Sequence, residues 1–469
     1  MGDSGEKRSL LHTVQETTID DKTLSVTSSA EIETSDRYEY VPQSQNTLTF
    51  EDDTAKSLKV SNITSLMHLV KGNVGTGILA MPNAVNNAGL WVGTFGILLI
   101  GGIAVHCMHM LLNCSHILSK RVKEPSLDYA SVLETALKTG PRRVRRIAWF
   151  GRLLVNIFLI ITQTGFCCIY LLFVAQNIKQ FVDSFYPDSL STIHYLLIVT
   201  AVLIPYTFIK ELKLLAPFSM AANIFNFVGL VIIFQYLFRG LPDYRSRPAS
   251  MPFDDLPLYF GTVIFSYEGI GLVMPIENKM QYPSDFRGLS GVMNLGMAIV
   301  TSLYTAMGFY GYLKFGGDAL GSITLNLPND NWLYLSVNLI FAASLFISYG
   351  LMIYVPVKIT FPWIAKKLGS SRKVHIYAEY PYRIIIVLFS LGVAAVVPHL
   401  DLLISLIGAF ASCALALMLP PIIEMLTLSM EHGQLPWWKL IKDILIVLFG
   451  FVGFATGTYS AVREIIKTF

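Results

Sequence analysis

Two short glycine-rich segments carry the residues most able to do chemistry in this chain. They are Gly72–Gly77, with the sequence GNVGTG, and Phe265–Gly271, with the sequence FSYEGIG. Each lies in the middle of a long apolar stretch. Glycine costs a helix about 1 kcal/mol relative to alanine, so three glycines in six residues favour a break. Unwound backbone at membrane depth is tolerated where it lines a cavity or a ligand, so both segments are candidate binding sites.

The chemistry of such breaks comes from the backbone. A half-helix that begins near Gly77 presents free N–H groups and the positive end of its dipole, which favour a carboxylate. Carbonyl groups freed between Phe265 and Gly269 favour an ammonium group. A site that offers both suits an α-amino acid. We therefore predict a substrate-binding site at these residues: Gly72, Asn73, Gly75, Thr76, Gly77, Phe265, Ser266, Tyr267, Glu268 and Gly269.

Close helix packing, as in GxxxG contacts, is the alternative explanation for these glycines. It would not require Asn73, Thr76 or Glu268 beside them, because polar groups within a membrane helix are costly. The first segment also superficially resembles a phosphate-binding loop. No strand precedes it and no Gly-Lys-Ser/Thr ending follows, so this interpretation is set aside.

Ionisable residues near the breaks are candidates for proton binding. His68 lies four residues before the first break and titrates near neutral pH, so it can exchange protons between an acidic exterior and a neutral cytosol. Glu268 is an intramembrane carboxylate that could hold a ligand ammonium or a coupling proton. Lys71 is deep enough to need a counter-charge, for which Glu268 and Glu277 are the candidates. The structural alternatives are a hydrogen bond for His68 and an ion pair with Lys71 for Glu268.

His106 and His109, with Cys107 and Cys114, could share a helix face in the manner of metal ligands. No carboxylate accompanies them and no Cys-x-x-Cys spacing occurs, so we expect packing and no metal site. We also expect no cofactor and no enzymatic activity.

The composition shows which elements position these residues. Of 469 residues, 53% are hydrophobic and 14% are charged, whereas soluble domains contain about 25% charged residues. This excludes a soluble enzyme, a disordered protein and a nucleic-acid binder. The chain is predicted to be an all-α polytopic membrane protein. Eleven apolar segments are long enough to span a bilayer, at about 62–88, 91–118, 149–180, 192–209, 216–238, 257–278, 289–313, 332–363, 381–398, 400–426 and 438–461.

The distribution of basic residues predicts the orientation of these spans. With a cytosolic N-terminus, nineteen Lys and Arg residues lie in inner connections and seven in outer ones, as the positive-inside rule requires. The C-terminus is then extracellular or lumenal. Three arginines in the outer loop 239–256 are an exception. Residues 126–139 are expected to form a short surface helix between spans two and three.

The domain organisation follows from the same pattern. Residues 1–60 hold six basic and twelve acidic groups and few large apolar residues, so we predict a disordered cytosolic tail. Residues 61–469 form the membrane domain. The breaks fall in spans one and six, and each precedes a similar phrase, LAMP and LVMP. Interrupted helices in matching positions of two halves indicate a transporter with an inverted repeat.

The phrases that carry these features resemble those of the proton-coupled amino-acid transporters. They are His68–Gly89 (HLVKGNVGTGILAMPNAVNNAG), Ala104–Met108 (AVHCM) and Phe260–Met280 (FGTVIFSYEGIGLVMPIENKM). This family belongs to the amino acid/auxin permease group, whose LeuT-type fold implies a 5+5 inverted repeat over about 61–238 and 257–426, with an extra helix at 438–461. The resemblance implies proton-driven import of small neutral amino acids, of the alanine, glycine and proline type, with His68 as the proton-linked residue.

Two rival functions remain open. In sodium-coupled proteins of the same fold, hydroxyl groups on span eight help to bind sodium, and Ser344 and Ser348 could do so here. The second rival is a sensor that binds an amino acid and signals to a cytosolic complex through the tail.

The tail also contains possible sorting signals. Glu6–Leu11 (EKRSLL) fits an acidic dileucine pattern, and Tyr38–Val41 (YEYV) fits a tyrosine-based one. We therefore expect sorting adaptors as partners, and residence in a lysosomal or endosomal membrane, with the plasma membrane as the alternative.

Overall fold

The computed structural model describes residues 60–187, 190–210, 212–288, 290–368, 372–431 and 436–468. The predicted tail and its sorting signals lie outside these ranges, apart from Val60. Within them the chain is almost entirely helical, and a single bridge between Val60 and Met280 is the extent of its β-pairing. This confirms the all-α prediction.

The described residues form seventeen α-helices of very different lengths. In chain order they are α1 (Asn62–Asn73), α2 (Thr76–Ala88), α3 (Leu90–Val122), α4 (Tyr129–Thr139), α5 (Arg142–Arg145), α6 (Ala148–Asp183), α7 (Thr192–Thr207), α8 (Leu212–Leu237), α9 (Leu256–Ser266), α10 (Ile270–Lys279), α11 (Ser284–Arg287), α12 (Val292–Phe315), α13 (Trp332–Leu368), α14 (Arg372–Val396), α15 (Leu400–Ile407), α16 (Leu419–Glu431) and α17 (Trp437–Lys467).

The long helices confirm a multi-pass membrane protein. Nine helical stretches in the described ranges are long and apolar enough to cross a bilayer. Helix α7 is apolar but shorter, whereas α1 and α2 contain only 12 and 13 residues. Between α15 and α16 the helix widens into two π-helical turns, Gly408–Ser412 and Ala414–Met418. Such turns occur frequently at functional sites.

Both predicted breaks are present. Helix α1 ends at Asn73, Val74 is extended, and α2 starts at Thr76; we call this interval the first junction. Helix α9 ends at Ser266 and α10 starts at Ile270; we call that interval the second junction.

The long helices pack in two groups. Helices α1, α2, α3, α9, α10 and α12 contact one another, and so do α6, α7, α13 and α14. Direct contacts between the two groups are sparse among the described residues. Helix α8 packs mainly on α13, whereas α15 and α17 pack on α9. The junctions therefore belong to one group and face the other.

The helix predicted over 126–139 forms as α4, but it is more than a surface element. Six of its residues are buried, among them Val132 and Ala136, and it packs against α6 and α16. Glu134 joins it to α6 through Arg152, with an N–O distance of 3.1 Å. The apolar face of α4 thus covers one end of the helix assembly.

The structure also explains an arginine in the loop 239–256. Arg247 donates hydrogen bonds to the carbonyl groups of Leu313 and Lys314, at 3.0 and 3.1 Å. These are C-terminal carbonyls of α12, which lack partners within the helix. In the same loop Ser250 approaches Gly89, where an added Cβ would lie 2.5 Å from the Ser250 Cα. Gly89 has a φ of 89°, a conformation that favours glycine.

Candidate functional site

The two junctions lie directly against each other. A Cβ atom added to Gly77 would lie 2.5 Å from the Ser266 Oγ and 2.8 Å from its Cα. A Cβ added to Gly269 would lie 2.5 Å from the Asn73 Oδ1. The start of α2 is therefore in backbone contact with the end of α9, and the end of α1 contacts the start of α10. The glycines allow this close approach, because any larger residue would push the half-helices apart.

Tyr304 of α12 joins the two junctions. Its hydroxyl lies 2.5 Å from the carbonyl oxygen of Asn73 and 2.7 Å from that of Ser266. These are the last residues of α1 and α9, whose carbonyls have no helical partner. The side chain is fully buried and packs edge-on against Tyr267 at a centroid distance of 5.2 Å. One hydroxyl proton is thus shared between two half-helix ends.

The start of α2 is open to a ligand. Gly75 precedes the helix without any side-chain cap, so the first N–H groups of α2 keep their capacity to donate. Beside them, the buried Asn73 Oδ1 and Thr76 Oγ1 have no hydrogen-bond partner among the described residues. A helix N-terminus with uncompensated polar atoms suits a carboxylate and the groups around it.

The carbonyl groups of the second junction are already engaged. Phe265 O accepts from Glu268 N at 3.2 Å, and Tyr267 O accepts from Gly269 N at 2.7 Å. Ser266 O accepts from Tyr304. Each carbonyl oxygen has two lone pairs, so an ammonium group can still bind here through the second one.

Aromatic rings close one side of the junctions. Phe166 of α6 lies 4.8 Å from Phe265, centroid to centroid, and 6.0 Å from Tyr170. The Tyr170 hydroxyl lies 3.5 Å from the position of a Cβ on Gly75. Helix α6 therefore brings aromatic surface from the second helix group to the first junction, and it leaves little room beside Gly75.

Glu268 lies in the second junction and faces the π-helical segment. Its neighbour there is the Ser412 hydroxyl, whose oxygen is buried and has no hydrogen bond to any described residue. Glu268 Oε2 is also buried and has no hydrogen-bond partner within the described ranges. Glu268 therefore has an unpartnered carboxyl oxygen near Ser412, although its backbone belongs to the predicted site.

The structure places His68 apart from the junctions. It lies on the exposed face of α1, five residues before Asn73, or about 8 Å along the helix. Its nearest charged neighbours are Lys71 and Lys279. His68 is thus in the middle of α1 and outside the first junction.

The counter-charge predicted for Lys71 was wrong. Its ammonium group donates to the hydroxyl and, at 3.2 Å, to the carbonyl oxygen of Ser219 on α8. Glu277 is instead paired with His116 and Arg287, each at 2.9 Å. Lys71 therefore forms a polar link between α1 and α8.

Hydrogen bonds tie the segment before α1 to the C-terminal end of α10. Val60 N donates to Lys279 O, and Gln281 N donates to Val60 O, both at 2.9 Å. Asn62 Nδ2 donates to Asp285 Oδ2 at 2.9 Å. The segment that enters α1 thus pairs with the segment that leaves α10, so the two half-helices are expected to move together.

The hydroxyl and histidine groups considered for cations have protein partners. Ser344 donates to Ala222 O at 3.1 Å, and Ser348 donates to Ser344 O at 2.9 Å. His109 Nε2 lies 2.8 Å from Asn294 Oδ1. Among the described residues, no group of three or more His, Cys, Asp and Glu side chains could hold a metal ion.

Sequence reasoning missed Tyr304, Tyr170 and Ser412. Each is a single polar residue within an apolar helix, and such residues recur along the chain. The only available signal was the polarity of the junctions, which required partners but did not indicate the helices that supply them.

Two membrane helices broken at facing junctions, one with an uncapped N-terminus, are typical of a secondary transporter. The comparison with known families agrees. Residues 59–463 match the family described as "Transmembrane amino acid transporter protein", and the chain belongs to this family. It is therefore a transporter and not an enzyme.

Two curated relatives share most of the chain. The "Proton-coupled amino acid transporter-like protein pathetic" of Drosophila melanogaster is 34% identical over 406 residues, which cover 86% of this chain and 85% of that protein. The "Probable amino acid transporter skat-1" of Caenorhabditis elegans is 26% identical over 424 residues, or 86% and 90% of the two chains. Among solved structures, a Na+-coupled sialic acid symporter in a substrate-bound outward-open state aligns with a TM-score of 0.43 and 13% identity, over 87% and 90% of the chains.

Proposed function

We propose that the protein is a proton-coupled symporter that carries small neutral amino acids, of the alanine, glycine and proline type, into the cytosol by alternating access. The observation that carries this proposal is the meeting of two half-helix junctions around one tyrosine hydroxyl, next to an uncapped helix N-terminus. Family membership supports the amino acid as substrate. The name of the Drosophila relative supports the proton as the driving ion.

The proposal includes eleven spans in a 5+5 inverted repeat with one extra C-terminal helix. The first repeat comprises α1 to α8, the second α9 to α16, and α17 is the extra span. Pairing α1 with α2 and α9 with α10 yields one broken helix at the start of each repeat. The two helix groups would then be the parts that rock against each other, because contacts between them are sparse.

Unequal packing of the half-helices supports an inward-facing conformation. In α2, 10 of 13 residues are buried, and in α9, 8 of 11. In α1 only 3 of 12 are buried, and in α10 only 4 of 10. With the N-terminus in the cytosol, α1 and α10 are the inner halves, so the inner side is loosely packed and the outer side is sealed.

The connection between α12 and α13 supplies the outer seal. Its Ala319 O accepts from Asn83 of α2 at 3.0 Å, and its Leu325 O accepts from Gln180 of α6 at 3.1 Å. The segment thereby bridges both helix groups over the outer ends of α2 and α6. Opening toward the outside requires these bonds to break.

Substrate recognition would use the backbone at both junctions. The carboxylate would bind the first N–H groups of α2 near Gly75 and Thr76, and the ammonium would bind the second lone pairs of carbonyls in the second junction. The narrow space between Gly75 and Tyr170 supports small substrates, because a bulky side chain would meet the aromatic rings of α6.

Two residues are candidates for the coupled proton. His68 lies in the middle of α1, where it is exposed and can release a proton to a neutral cytosol. Glu268 lies in the second junction with an unpartnered oxygen, where proton uptake would remove a buried charge. Import driven by an acidic compartment agrees with residence in a lysosomal or endosomal membrane, with the plasma membrane as the alternative.

The experiment that tests the proposal is uptake into proteoliposomes with the purified full-length protein. Labelled alanine, glycine, proline and leucine are compared under an inward proton gradient, with sodium and with choline replacing sodium. We expect accumulation of the first three that follows the proton gradient and is unchanged in choline. Loss of uptake in choline would establish sodium coupling instead and direct attention to Ser344 and Ser348. Saturable binding without uptake would contradict the carrier and favour the sensor.

A further inference from the structure

Away from both junctions, three charged side chains meet where α3, α16 and α17 pack together. The Lys442 ammonium lies 2.8 Å from Glu424 Oε2 and 3.0 Å from Asp443 Oδ1. It also lies 3.4 Å from the Met110 sulfur of α3. Two carboxyl groups from different helices thus share one lysine nitrogen, and neither takes part in the site described above.

These groups are withdrawn from solvent. The side chain of Asp443 is 0% exposed, that of Glu424 is 12% exposed and that of Lys442 is 27% exposed. Asp443 Oδ2 is buried and accepts no hydrogen bond from any described residue. A fully buried carboxylate oxygen without a donor is costly when it is ionised, so burial favours the protonated form of this carboxyl group.

The neighbouring carboxyl group is the partner that can share this proton. Glu424 Oε2 and Asp443 Oδ1 both lie within 3.0 Å of the Lys442 nitrogen. Ionised carboxylates only accept hydrogen bonds, so a hydrogen bond between the two groups requires a proton on one of them. Two like charges in one buried site favour retention of a proton on the pair, and one lysine balances only one of the two charges.

The surrounding groups do not supply a second positive charge. The titratable side chains that interact with the trio come from α3, and they are His106, Cys107 and Cys114. The two thiols are neutral near pH 7. His106 is exposed and forms no ion pair with either carboxyl group among the described residues.

We propose that Glu424 and Asp443 form a proton-binding site, in which one proton is held between the two carboxyl groups with Lys442 as the counter-charge. The shared proton stabilises the packing of α17 against α16 and α3. When it leaves, two negative charges face each other in a buried position, and the attachment of α17 weakens. This site is separate from the substrate junctions and from the proposed driving proton.

Infrared spectroscopy of the purified full-length protein tests the site without any transport. Spectra are compared between the wild type, Asp443→Asn and Glu424→Gln at neutral pH. Each wild-type-minus-variant difference should contain the C=O stretch of a protonated carboxyl group, because either substitution ends the sharing. Glu464→Gln is the matched control on α17, since Glu464 is partly exposed and pairs with Lys467 at 2.6 Å. Its difference should contain a carboxylate signal only. Carboxylate loss without carboxylic acid loss in both test variants would overturn the proposal.

Thermal stability gives a second, independent measure. The wild-type Tm should fall as the pH rises and the shared proton dissociates. Asparagine resembles the protonated form of Asp443, so in Asp443→Asn this fall should disappear and the Tm above neutral pH should exceed that of the wild type. An unchanged pH slope in Asp443→Asn would contradict the assignment. Neither measurement depends on which substrate or driving ion the transporter uses.

Discussion

The hydroxyl group of Tyr304 lies 2.7 Å from the carbonyl oxygen of Ser266, at the point where α9 ends. At 2.5 Å from the same hydroxyl lies the carbonyl of Asn73, where α1 ends. A hydroxyl has one proton to donate, so the two half-helix ends compete for it. Tyr304 therefore links the end of α1 to the end of α9 through a single hydroxyl group.

Tyr304→Phe is expected to reduce transport strongly and to lower the stability of the protein by about 1–3 kcal/mol, because two buried carbonyl groups lose their shared donor. Proteoliposome uptake and the thermal midpoint of the purified protein measure the two effects. Tyr310→Phe is the matched control on the same helix, since the Tyr310 ring packs on Phe238 at 4.8 Å. If both variants transported like the wild type, the shared hydroxyl would have no part in the cycle.

Gly77→Ala and Gly75→Ala should separate packing from substrate binding. Alanine at Gly77 meets the Ser266 backbone at 2.8 Å, so we expect a lower thermal midpoint together with loss of transport. Alanine at Gly75 meets only the Tyr170 hydroxyl, at an ordinary contact distance of 3.5 Å. We expect a normal midpoint there, but a raised KM because the methyl group occupies substrate space. A normal KM in Gly75→Ala would place the substrate elsewhere.

Glu277→Gln should loosen the C-terminal end of α10. Glu277 is 2% exposed and lies 2.9 Å from both Arg287 and His116. An amide cannot balance the Arg287 charge, so we expect a loss of stability of about 1–3 kcal/mol. The thermal midpoint, compared with that of Glu464→Gln at an exposed ion pair, measures this loss. Equal midpoints for the two variants would mean that the Glu277 cluster contributes nothing.

Uptake is expected to rise as the external or lumenal pH falls from about 7.5 to 5.5, the range in which histidine titrates. If His68 carries the coupled proton, its protonation would favour loading from the acidic side, and its deprotonation would accompany release to the neutral cytosol. His68→Ala should lose accumulation driven by a pH gradient but keep exchange of labelled for unlabelled amino acid, because the junction backbone is untouched. Accumulation that persists in His68→Ala would transfer the coupling role to Glu268, and Glu268→Gln is then the variant to measure.

The sequence by itself determined the elements and the positions of the breaks. Long apolar stretches can satisfy their backbone in a bilayer only as helices, so the all-α membrane architecture follows from composition and segment length. The breaks followed from helix propensity, because glycines such as those at 72, 75 and 77 destabilise a helix whatever its surroundings. Neither conclusion requires knowledge of which helices touch.

Only the tertiary structure determined which side chains contact the backbone at those breaks. Tyr304 is 231 residues from Asn73 in the chain, and nothing in its local sequence distinguishes it from other tyrosines in apolar helices. Lys71 illustrates the same limit, since charge alone predicted a carboxylate partner, whereas packing brought the oxygen atoms of Ser219 within reach. Helix formation depends on short-range backbone energies that residue types reveal. Partner choice depends on the packing of distant helices, and no local pattern encodes it.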